Sequence, residues 1–265
     1  MIRKLRKLRR YWAANLRPAS DVPVFWHVGR PNFGDDLNPG LFELIGGRRA
    51  RFSRNRNEHH FLGMGSILER SVPASIILGS GFLLPPKPGQ MVPGEVIAVR
   101  GELSRRAVST RDVLLGDPMV LLNLLMPFAK TPDGTTGFVP HVSQIGACRD
   151  LKLKRIKIID PSLAPRRVLR EIAACSKVYS QSLHGLIVAD ALSIPNAWVA
   201  PPPNLKGGRF KFDDYFSTLD APKIPYPMQH STFHGKSPEF SVGNFRHNKA
   251  ELLEAFQFAL AGGTS

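Results

Sequence analysis

The stretch SQSLHGLIVADALSIPNAWV, Ser180 to Val199, sets one ionisable ring, His184, beside Gly185 at the mouth of a segment otherwise built for burial. KVYSQS reads as a buried strand, Ser182 as a cap and LHGLIVADAL as the helix that follows, so His184 falls in its first turn. Backbone N–H groups there have no intrahelical partner, and with the helix dipole they favour an anion. The same field lowers the pKa of a nearby imidazole, which suits a proton donor or acceptor working near neutrality. Gly185 permits close approach of backbone or ligand. A capped histidine satisfied by a neighbouring carbonyl would account for the same residues.

Other groups fall at similar places. In VRGELSRR, Arg100 ends a strand and Gly101 turns the chain into a helix. An arginine fork there fits carboxylate or phosphate, or simply an acid such as Glu102. In NFGDDLNP, Asn32 and Gly34 form a turn while Asp35 and Asp36 begin a helix. Either carboxylate is suited to capping that helix, or to taking a proton from a hydroxyl. ILGSGF offers Gly79, Ser80 and Gly81 as a small phosphate cradle, without the lysine or spacing of a P-loop. Asp117 precedes Pro118 and reads as a helix start. His141, in VPHVSQ, fits ligand contact and ordinary hydrogen bonding equally.

The elements that must position these groups are short apolar runs followed by helical periodicity, the alternation expected of α/β units with parallel strands. Strands are predicted within 22–28, 75–81, 95–101, 112–118, 155–160, 177–182 and 195–200, with helices after Asp36, Arg100, Asp117, Pro165 and Ser182. MPFAKTPDGTTGFVPH, 126–141, is rich in Pro, Gly and Thr and reads as a linker between two α/β halves. The division is a basic segment 1–20, an N-terminal Rossmann-like half 21–128, a C-terminal Rossmann-like half 129–245 and a helix within 246–265. Residues 200–244 read as irregular and proline-rich. In open parallel sheets ligands bind beyond the C-terminal strand ends, where each group above falls.

Composition narrows the classes. A chain of 265 residues with 43% hydrophobic content can bury a real core. Its two cysteines, Cys148 and Cys175, lack metal-type spacing and fit a reducing compartment. No apolar run reaches the ~18 residues of a membrane span, and no signal-type apolar region follows the basic start, so a cytoplasmic protein is expected. Residues 1–17 carry +7 of the formal +15, leaving +8 for the rest. With Ile2, Leu5, Leu8 and Trp12 near helical spacing, that tail is either a surface helix on anionic lipid or a solvated terminus. Basic clusters at 48–56 and 152–157 extend a positive field that steers anions. Zinc-finger, RNP-type and aromatic-interleaved basic patterns are absent, so nucleic acid is not an expected partner. Gly-x-Ser-x-Gly, the kinase set and a complete dinucleotide fingerprint are absent too.

Taken in order, NFGDDL, RGELS, LGDP, VPH and SLHGLIVADALSIP resemble the polysaccharide pyruvyl transferase family over residues 24–216, FKFDDYF included. The resemblance implies two Rossmann-like halves similar to the GT-B glycosyltransferases. It implies phosphoenolpyruvate as donor, a sugar hydroxyl pair, free or lipid-linked, as acceptor, and no cofactor or metal. It places Arg100 and the helix start at Ser182, Leu183 and His184 on the donor, with Gly185, Asn32, Gly34, Asp36, Ser80, Asp117 and His141 around the substrates. Lys211 or Arg100 would supply charge where some relatives carry a basic residue at the place of Ser182. His184 would be the general acid and Asp35 the base. A nucleotide-sugar glycosyltransferase and a non-catalytic protein binding nucleic acid or membrane are the rival readings.

Overall fold

The structure is a computed structural model that describes residues 22–109, 112–126, 134–151, 153, 155–234 and 238–262, together with Arg10. Apart from Arg10, the basic segment expected at 1–17 lies outside the described residues, as do 127–133 of the expected linker and Lys152 and Lys154 of the basic cluster.

Among the described residues, ten strands form two wholly parallel sheets. The first has six strands in the order β2-β1-β3-β4-β5-β6: β1 Val22–Phe25, β2 Ala50–Phe52, β3 His60–Leu62, β4 Ser75–Ser80, β5 Glu95–Val99 and β6 Leu114–Leu115. The second has four in the order β10-β9-β7-β8: β7 Thr136–Val139, β8 Ile156–Ile158, β9 Lys177–Ser180 and β10 Asn196–Trp198. The helices are α1 Phe33–Gly46, α2 Glu102–Arg105, α3 Leu122–Leu125, α4 Ile145–Asp150, α5 Pro165–Ala173, α6 Leu183–Ala191, α7 Phe210–Phe216, α8 His230–His234 and α9 Lys249–Leu260. This is the α/β architecture the alternation predicts, and the seven strands read from the sequence are all present.

Three strands were not legible. β2 and β3 have three residues each and lie in a basic, histidine-containing stretch, and β7 occupies the part of the glycine-rich 126–141 segment that reads as linker. β3 is nonetheless wholly buried, its His60 accommodated by Glu58 O at 2.8 Å and Ser75 Oγ at 3.0 Å. Residues 200–244, expected to be irregular, contain α7 and α8.

All nine residues of α6 are buried, which explains why its sequence shows no polar face. Leu186, Ile187 and Val188 have no exposure, and each such side chain contributes about 1.5–3 kcal/mol relative to leaving it in water. A single apolar core runs from Val24 and Phe42 of the first sheet's layer through Met119 and Leu121 to Val178 and Leu186 of the second. α9 buries Leu252, Phe256 and Leu260, with Leu253 half-buried, and returns to pack on α1 and β5. No helix among the described residues is long and apolar enough to cross a membrane.

Candidate active site

Two strand tips carry the central pair. After β1, Asn32 Nδ2 donates to Asp35 Oδ2 at 3.0 Å, and the Asn32 N–H donates to Asp36 Oδ2 at 3.3 Å. Asp36 also meets the Arg10 guanidinium. Pro39 has no N–H for the carbonyl four residues earlier, Asp35 O. Asn38 Nδ2 fills that place at 3.0 Å and also donates to Met64 O at 3.2 Å, fixing the backbone that carries Asp35.

After β9, no side chain caps α6 at Ser182. Ser180 Oγ instead accepts from the Ser182 N–H at 3.2 Å and donates to Ser182 O at 2.8 Å. Gly185 lets α6 press on β7: a Cβ there would lie 2.4 Å from Ser180 Oγ and 3.1 Å from Val139. Gly34 does the same for the other half of the site, since its Cβ would fall 1.8 Å from His184 Nδ1. The Phe33 ring stands edge-on to the imidazole at 6.2 Å, and the Phe33 N–H donates to Pro161 O at 2.8 Å. His184, from the second sheet, is thus seated against the start of α1, from the first.

Both sheets point their C-terminal strand ends at one cavity of about 350 Å³. The first sheet lines it with His27, Asn32, Asp35, Ser66, Glu69 and Arg70. The second contributes His141, Ser182, Leu183 and His184, with Lys206 and Lys211 from the chain after β10. Burial is the largest effect on each titrating group. It raises the Asp35 carboxyl to about 6, against the opposing charges of His27 and Lys211. It lowers His184 to about 3 and His141 to about 4, with Lys211 adding to both, Arg100 to the first and Arg30 to the second. It lowers Lys211 to about 8, helped by Arg100, while Asp35 pulls the other way. No acid forms an ion pair with Lys211 among the described residues. The cavity therefore has neutral imidazoles at His141 and His184, the Asp35 carboxyl near 6 and cations able to receive an anion.

Of the residues expected at the site, Asn32, Asp35, His141, Ser182, Leu183, His184 and Lys211 come together on this wall. Arg100 does not. It has no exposure, and its guanidinium donates to Asp214 Oδ2 from Nε and Nη2, both at 2.9 Å, to Ser66 Oγ at 2.8 Å and to Phe82 O at 2.7 Å. The expected grip on the donor is corrected to a place behind the wall, reaching the cavity through Ser66. Ser80 is buried and donates to Gly63 O, so it is no phosphate cradle. Asp117 is buried and caps the following turn, accepting from the Met119 N–H at 3.0 Å. Asp36, Gly34 and Gly185 support the wall rather than form it. His27, Ser66, Glu69, Arg70 and Lys206 were missed: His27 reads as the end of a strand, Ser66 to Arg70 follow the illegible β3, and Lys206 lies in the stretch read as irregular.

The polysaccharide pyruvyl transferase family model matches residues 82–202, which contain β5 to β10 and the His141 and His184 tips. The chain is 30% identical over 225 residues to the succinoglycan biosynthesis protein ExoV of Rhizobium meliloti (strain 1021), covering 79% of this chain and 68% of that protein. It is 29% identical over 226 residues to the uncharacterized protein L143 of Acanthamoeba polyphaga mimivirus, covering 78% and 77%. A crystal structure of a functionally uncharacterized protein of Klebsiella pneumoniae aligns over 82% of this chain and 94% of that one, at 11% identity and a TM-score of 0.44. With the ordered motifs at these strand tips, the family match and the ExoV relationship, the chain belongs to the polysaccharide pyruvyl transferase family and is a transferase.

Proposed function

We propose that the chain moves the enolpyruvyl group of phosphoenolpyruvate onto two hydroxyls of one sugar, as a ketal, during bacterial exopolysaccharide or capsule synthesis. The observation that carries this reading is the meeting of Asp35 and His184, from different sheets, in one cationic cavity. In the reaction a proton adds to the donor's methylene carbon, giving an oxocarbenium-like centre at C2. One hydroxyl adds there, phosphate leaves, and the second hydroxyl closes the ring. Of the two hydroxyl protons, one balances the new methyl hydrogen and the other departs with phosphate. The step needs neither redox partner nor cofactor.

Lys211 and the uncapped start of α6 at Leu183 and His184 hold the phosphate and carboxylate, with His141 beside them. His184 supplies the proton to carbon and Asp35 accepts from a sugar hydroxyl. The two sheets act as facing halves in the manner of a GT-B enzyme, 21–128 and 129–245, with the last helix on the first. Residues 1–17 hold the enzyme on anionic lipid at the inner face of the plasma membrane, close to a lipid-linked acceptor.

Incubation with phosphoenolpyruvate and a β-galactoside or β-glucoside is expected to release phosphate only when sugar is present, with a product heavier by one pyruvate ketal. Undiminished turnover by His184→Ala would remove the assigned acid.

A further inference from the structure

A ketal forms only where two sugar hydroxyls reach the donor's C2, so the acceptor must occupy space continuous with the donor cavity. Among the other described cavities, those around Asp190 and Lys249 and around Glu102 and Glu251 share no wall residue with it. A groove of about 570 Å³ shares two, Glu69 and Lys206. We infer that this groove is the acceptor subsite and that it takes a pyranoside; the inference rests on the donor reading above.

Its chemistry suits a sugar ring, which presents C–H faces and hydroxyl edges. One wall is apolar: Leu84 is 48% exposed, and Pro85 and Pro88 stand beside it. Lys87 and Glu69 supply a donor and an acceptor for hydroxyls, and Glu69 lies where groove and cavity join. A few polar groups on a mostly apolar wall are the usual makeup of a small-molecule site, and the volume lies in the usual range of about 300–1,000 Å³.

The wall is also preformed. Pro85, Pro86 and Pro88 restrict the loop after β4. A turn closes it, the Lys87 N–H donating to Gln90 Oε1 at 3.0 Å and the Gln90 N–H to Lys87 O at 2.9 Å. The loop bearing Lys206 meets this wall at Gly207, where a Cβ would lie 2.1 Å from Leu83 O. Little ordering is left for the ligand to impose, which favours binding.

The test uses the full chain and its Leu84→Ala and Lys87→Ala variants. Calorimetry reads phosphoenolpyruvate binding, and saturation-transfer NMR, with phosphoenolpyruvate present, reads methyl β-galactoside and methyl β-glucoside. Wild type is expected to bind at least one glycoside, each variant to weaken it about threefold or more, and donor affinity to stay within about twofold. Failure of wild type to bind phosphoenolpyruvate overturns the donor reading beneath the proposal. Donor binding without glycoside binding, or glycoside binding equal in all three chains, overturns the groove alone.

Discussion

Burial and the nearby charges of Lys211 and Arg100 hold His184 at about 3, so at neutral pH the ring has no proton to give until negative charge arrives beside it. Binding of phosphoenolpyruvate is expected to supply that charge and draw a proton onto the imidazole. Calorimetry at pH 7 in buffers of differing ionisation enthalpy should then show uptake approaching one proton, reduced in His184→Gln. Equal uptake by both chains would reassign the acid. Burial holds the Asp35 carboxyl above its ordinary range, at about 6, and both consequences have a definite sign. As a base it must be ionised while His184 must gain a proton, so kcat/KM should stay level between about 4 and 6 and fall as pH rises above about 6, and Asp35→Asn should lose roughly 10²–10⁴ in rate. For stability the folded chain holds this proton more tightly than the unfolded chain, so stability falls as pH rises between about 4 and 6. Asp35→Asn should therefore stabilise the fold by up to about 3 kcal/mol at pH 7 and by little at pH 4, read from denaturant unfolding. At this scale types and spacing singled out His184, Asp35, Asn32 and His141, and the family resemblance added Lys211; all five line one cavity. Arg100 was misjudged because a strand-end arginine looks the same facing a ligand or an internal carboxylate, and Asp214 lies 114 residues away.

The start of α1 and the start of α6 are fitted to each other without room to spare. Gly34→Ala would put a methyl group where the His184 ring lies. Overpacking of this kind usually costs about 1–3 kcal/mol, so the variant should fold. It should also lose at least tenfold in kcat as the imidazole is displaced. Normal kcat with normal circular dichroism would show that the ring's seat is unimportant. The same steric fact explains a limit of legibility. Gly34 reads from sequence as a turn residue and Gly185 as one that admits backbone or ligand, whereas both make room for other parts of the protein. Alternation revealed seven strands and their tips, even the short β6, β8 and β10, which stand in apolar runs. It could not reveal β2 and β3, set in a basic stretch, or β7, set in a glycine-rich one.

Across the whole molecule, the Arg100–Asp214 pair ties the end of β5 to α7, which follows the second sheet. Asp214 also accepts from the Ser104 N–H at 2.8 Å and from Ser104 Oγ at 2.6 Å, and the Glu102 N–H donates to Ser217 Oγ at 2.8 Å. Removing one partner leaves a buried charge, so Arg100→Met is expected to cost about 3–5 kcal/mol. The double variant Arg100→Met with Asp214→Leu should recover only part of this, because Ser104 loses both bonds. Additivity of the two single changes in chemical denaturation would mean the pair does not act as a unit. The parallel α/β plan was readable from the alternation, but this clasp was not, since contacts between distant segments leave no local mark. The return of α9 to α1 and β5 has a mechanical result of its own. The polypeptide passes between the sheets on its way out and again on its way home, like a book bound along two threads. Parting the covers would therefore open the shared apolar core as well as strain both passages.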